Sequence, residues 1–201
     1  MTALSQNEIE SLALRAARGA GFSWGLAEEA GLALGWLAAR GHDGTGALLD
    51  LLNAGPLARP LPGPGRWQAQ GQGPLCPITL GAALLDHARL AEGPLAGPLD
   101  LPPVAAPVLL VPFLARLADL GGTALKIEAP GLGFVMAPRV GGPLPVLATT
   151  PLALRIVPLA AALPLFDPAI LDALGLYALR TTVPATETSR GGAGSATPDS
   201  D

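Results

Sequence analysis

Proline divides this chain before any pattern is sought: residues 1–54 contain none, whereas 21 of the 22 prolines fall between positions 55 and 184. Proline has no amide hydrogen and collides with the preceding helical turn, so long helices are confined to the first quarter of the chain. The remainder must be built from short strands, short helices and turns. This contrast predicts an α+β fold in which an N-terminal helical unit (1–54) packs against a Pro/Gly-rich region of short strands and a few short helices (55–184). With 201 residues, positions 1–184 are expected to make one domain, followed by a Gly/Ser-rich polar tail at 185–201.

Within the helical unit, Ser5 and Glu8 have capping-box spacing and Leu4 and Ile9 have that of a hydrophobic staple, which predicts a helix from Gln6 to Arg18. Ile9, Leu12, Ala13 and Ala16 form its expected core stripe. A second helix, capped by Ser23, runs from Trp24 to Gly41. Its wheel carries Leu26, Ala27, Ala30, Leu34, Leu37 and Ala38 on a broad apolar face, with a small-residue edge of Ala27, Gly31, Gly35 and Ala38. Each helical glycine costs on the order of 1 kcal/mol relative to alanine, so Gly25, Gly31 and Gly35 need a compensating gain, from close packing of another backbone or from a bound ligand. A short third helix passes through Leu48, Leu49, Leu51 and Leu52.

Beyond residue 54, Leu80–Leu90 reads as a helix capped by Thr79, with a loop continuing to Pro103. Val108–Val111, Thr123–Glu128, Gly133–Ala137, Val146–Thr149 and Leu152–Val157 are the expected strands, and Thr123–Ala137 forms a hairpin across Pro130-Gly131. Phe113–Leu120 forms a short helix, and Asp167-Pro168 opens another with the favoured cap and first-turn pair.

The composition excludes several functions. Twelve basic residues, only one of them lysine (Lys126), face sixteen acidic ones without a basic cluster, so no nucleic acid is expected as partner. The N-terminus has neither the charge nor the apolar run of a secretory signal, and the apolar stretches are short and broken by proline, so no membrane partner is expected. A single cysteine, Cys76, excludes an internal disulfide and fits a reducing compartment. Together these predict a soluble cytoplasmic protein. Half the residues are apolar and 14% are charged, so a homo-oligomer or a protein partner is expected to cover excess apolar surface.

Site chemistry is sparse. His42 beside Asp43 and His87 beside Asp86 make no spaced ligand pair, so no metal is expected. No glycine loop carries a phosphate-binding template, and no cofactor is implied. The candidate catalytic group is Glu28 with Ser23 and Trp24. Glu28 lies one turn from Trp24 beside Gly31 and Gly35, where exclusion of water would suit a carboxylate to acid/base work, whereas Glu29 falls near Trp36 and Arg40. A plain surface carboxylate near a helix start is the competing reading. Candidate ligand-binding residues are Arg18, adjacent to the start of the second helix, and Thr186, Ser189 and Arg190 in the tail. Composition makes that tail disordered, but Gly191, Gly192 and Gly194 would also let its backbone pass close to a ligand.

The block from Ala17-Arg18-Gly-Ala-Gly-Phe-Ser-Trp-Gly-Leu-Ala-Glu-Glu-Ala-Gly31, together with Arg180-Thr-Thr-Val-Pro-Ala-Thr-Glu-Thr-Ser-Arg-Gly-Gly-Ala-Gly194, resembles an uncharacterised bacterial family of about this length. The resemblance implies that the two end blocks belong together and brings no activity with it. Three function classes therefore stay open: an accessory or small-molecule-binding protein, a small-molecule enzyme built on Glu28, and a structural homo-oligomer using the Ala27/Gly31/Gly35 edge.

Overall fold

The computed structural model describes residues 4–139, 150–159 and 167–181. Its contacts divide into two units, 1–161 and 162–201. The first is an α+β structure whose N-terminal helical unit comprises α1 (Gln6–Gly19), α2 (Trp24–Ala38) and α3 (Thr45–Asn53). The capping box forms as expected: Ser5 Oγ accepts from the Glu8 amide while the Glu8 carboxylate accepts from the Ser5 amide at 2.7 Å.

α1 packs along the small-residue edge of α2. A Cβ on Gly31 would lie 2.9 Å from the Glu10 carbonyl oxygen and 3.4 Å from the Leu14 Cβ, and one on Gly35 would overlap the Glu10 side chain. The predicted edge is thus filled within the chain itself. Leu12, expected in the core stripe of α1, is instead 49% exposed, and Ala17 is buried one turn on. The buried arc of α1 is centred on Ala13 and Ala17, whose small side chains permit the close approach.

The Pro-rich region supplies a two-stranded sheet, β1 (Arg59–Leu61) with β2 (Gln68–Gln70), then α4 (Pro77–Asp86), β3 (Leu99–Val104), α5 (Val111–Gly121), β4 (Leu125–Ala129), β5 (Leu132–Met136) and β6 (Leu152–Pro158). The last four strands form an antiparallel sheet in the order β3-β6-β4-β5. The Pro130-Gly131 hairpin stands where expected, with Gly131 at φ +73°.

Two assignments differ from expectation. Val108–Val111 is no strand: Pro107–Leu110 forms a 3-10 turn that runs into α5, started by Ala106 in the left-handed region at φ 40°. The strand lies earlier, at β3, in a stretch read as loop because it contains Pro102 and Pro103. Those prolines are tolerated because β3 is an edge strand and its register with β6 shifts between Leu101 and Val104. Val146–Thr149 lies outside the described residues.

The core joins α2, α4 and α5 to the inner face of the larger sheet, with Leu34, Leu37, Ile78, Leu84, Phe113, Leu117, Ile127 and Ile156 buried. Trp67 is fully buried, and its indole N–H donates to the Glu92 carbonyl at 2.7 Å. His87 meets the Trp67 ring edge-on at 5.6 Å and donates its Nδ1 hydrogen to the Glu92 carboxylate at 2.9 Å. That hydrogen bond, aided by one from the Glu92 backbone, holds the Glu92 carboxyl below its ordinary value of 4.5. A depressed carboxyl value stabilises the fold above the unfolded-state value, and this contribution disappears as pH falls through the folded one. Glu92→Gln is therefore expected to lower the melting temperature slightly at about pH 6, with the difference from wild type starting to shrink only near pH 4.5 and vanishing once the pH lies below the lower folded value; a gap that widens in acid would contradict the pairing.

The second unit contains α6 (Pro168–Ala178), capped as expected by Asp167, whose side chain accepts from the Ala169 amide at 2.9 Å. None of the residues of α6 is buried, and Ile170, Leu171, Leu174, Leu176 and Tyr177 are all exposed.

Candidate functional site

Two helix beginnings line one cleft in the first unit. After α1, Gly21 takes φ +94° and turns the chain so that Phe22 and Ser23 lead directly into α2. Ser23 caps α2 by accepting from the Leu26 amide at 3.4 Å. Across the cleft, Ala58 and Cys76 tie β1 to the start of α4 through the Cys76 amide, which donates to the Ala58 carbonyl at 3.2 Å. The cavity between them measures about 700 Å³ and mixes polar with apolar lining, including Phe22, Ser23, Leu26, Arg59, Cys76 and Thr79.

The chemistry of this cleft comes from what its groups leave unmet. α4 starts at Pro77 behind Cys76, and no side chain caps it. Helix N-termini leave amide groups unpaired and carry partial positive charge, and here that end opens beside Thr79, which lines the cleft. Arg59 is exposed on β1 and makes no ion pair or side-chain hydrogen bond among the described residues. An uncapped ten-residue helix and an uncommitted guanidinium on one cleft suit a negatively charged group. The Cys76 thiol is nearly fully buried in the wall.

Of the described residues expected at a site, only Ser23 lines this cleft. Arg18 bonds the Phe22 carbonyl and lies 4.6 Å from the centre of the Trp24 ring, so it braces the α1–α2 turn. Trp24 is largely exposed. The expected contrast between the two glutamates is reversed: Glu28 is exposed, whereas Glu29 is half-buried and held by both guanidinium nitrogens of Arg116 on α5. The reason is geometric. The buried arc of α2 runs from Ala33 through Ala30 and Ala27 to Gly31 and Gly35 and ends there, so Glu28, just beyond Gly35 on the wheel, faces water. Thr186, Ser189 and Arg190 lie outside the described residues.

Sequence reading missed Arg59 and misassigned Thr79. Thr79 was the expected cap of α4, but the helix begins two residues earlier. The available signal was Cys76-Pro77, a poor capping residue directly before a proline suited to the first helical position. Among the described residues, no three His, Cys, Asp or Glu side chains cluster as metal ligands, and no helix is long and apolar enough to cross a membrane.

No curated protein and no solved structure matches the chain. Residues 4–77, which hold α1 to α3, the small sheet and all of the cleft lining except Thr79, match the model of a family described as "Protein of unknown function (DUF3726)", in keeping with the resemblance to an uncharacterised family carried by the N-terminal block.

Proposed function

We propose that this protein binds a small anionic molecule, a carboxylate or a phosphate, in the cleft between the starts of α2 and α4. The observation that carries this reading is the uncapped α4 N-terminus sharing a cavity of about 700 Å³ with the uncommitted Arg59. A cytoplasmic location belongs to the same reading, on the strength of one buried cysteine. An accessory role has separate support in an apolar groove of about 220 Å³ between α1 and α3, where Leu12 and Leu49 stand exposed. Catalysis by Glu28 has less, since that carboxylate is exposed and outside the cleft.

The test is ligand-induced stabilisation of the full chain by phosphate, pyrophosphate and citrate. At least one should raise the melting temperature with its concentration, as mass action requires of a ligand that binds only the folded state. Arg59→Ala should abolish that rise while leaving the unliganded melting temperature unchanged, because Arg59 is exposed. Equal stabilisation of Arg59→Ala and wild type, or no response to any of the three anions, would remove the proposal.

A further inference from the structure

We infer that β5 is a self-association edge, at which two copies of the chain pair their β5 strands antiparallel about a two-fold axis. β5 is outermost in the sheet order β3-β6-β4-β5. Its alternation is fixed by two observations. Ala129 and Leu132 close a two-residue loop, and the Ala124 carbonyl accepts from the Leu159 amide on the β6 side. Residues 125, 127 and 129 therefore address β5, and Leu132, Phe134 and Met136 address β4 in return. Gly133 and Val135 turn their amide and carbonyl groups outward, and among the described residues nothing pairs with them.

Exposed strand edges normally carry charges, prolines or bulges that prevent pairing. β5 has none of these: its five residues are uncharged and proline-free, and its register with β4 runs without a shift. The row is also complementary to itself. With Phe134 opposite its symmetry mate, Gly133 faces the mate's Val135, and the two such pairs exchange four N–H···O bonds. Leu132 then faces the mate's Met136 on the inner side. Val135, 56% exposed on the outer side, covers the mate's glycine. All these pairs are apolar, and the nearest charges on β4, Lys126 and Glu128, neutralise each other at 2.6 Å. The edge therefore lacks the charge that would select a different protein and matches a second copy of itself.

Sedimentation velocity of the full chain over a wide concentration range tests this. Wild type should show a reversible monomer–dimer equilibrium, and Val135→Lys should raise its dissociation constant at least about tenfold with unchanged circular dichroism. Hydrogen exchange gives a second readout on unaltered protein: the Gly133 and Val135 amides should be protected at high concentration and released on dilution. A wild type that stays monomeric, a Val135→Lys variant that dimerises as well as wild type, or protection that is independent of concentration would each overturn the inference.

Discussion

Trp67→Ala is expected to cost roughly 3–5 kcal/mol of unfolding free energy from the deleted aromatic volume alone. The side chain is fully buried, and its amide donates to the Asp100 carbonyl at 3.0 Å, so it ties the lead-in to β2 to β3 while its ring reaches the loop after α4. Removing the indole also strands the Glu92 carbonyl, a further 1–3 kcal/mol or so. Against a native stability of about 5–15 kcal/mol, this single change consumes a large share. Trp67→Phe separates the two contributions, since it keeps most of the apolar area and loses only the donor. Denaturant melts of the three proteins should fall in the order wild type, Trp67→Phe, Trp67→Ala; a Trp67→Ala midpoint within error of wild type would mean that this residue does not anchor the core.

Gly31→Leu should have the next largest effect. Any side chain there meets the backbone of α1, since the Glu10 carbonyl oxygen lies 2.9 Å from a Cβ position, and backbone cannot rotate away. Overpacking of this kind costs about 1–3 kcal/mol. Gly35 borders the same helix but would meet the flexible end of Glu10, and Gly25 has open space around it. Alanine substitutions should therefore rank Gly31 as most harmful, Gly35 next, and Gly25 as neutral or stabilising by up to about 1 kcal/mol. Leu32→Ala, at a half-exposed position on the outer face, should lie well below Gly31→Leu. If the Gly31 and Gly25 variants melted alike, close contact of α1 with α2 would be refuted.

The α1 capping box, the small-residue edge of α2, the Pro130-Gly131 hairpin and the Asp167 cap were all legible in the sequence, because each is decided by neighbours a few residues apart. β3 was not, because local proline chemistry argues against a strand and only its position at the rim of the sheet makes Pro102 and Pro103 acceptable. The site was harder still. A helical wheel ranks the sides of α2 but does not say where its partner ends, so Glu28 was placed inside an arc that stops at Gly35. Arg59 and the start of α4 are 18 residues apart in sequence and meet through the pairing of Ala58 with Pro74 and Cys76. No periodicity encodes that.

The prolines of β3 limit how far the sheet can grow. The outer side of that strand is already taken up: Asp100 exchanges hydrogen bonds with Gly65 and Trp67, the Leu75 amide donates to the Pro103 carbonyl, and Pro102 and Pro103 offer no hydrogen to a newcomer. Among the described residues one rim of this sheet is sealed and one is open, so strand addition at β5 uses up the vacant rim of each copy. Assembly by this route stops at two chains, and the ladder that would extend into a fibre has no second end from which to continue.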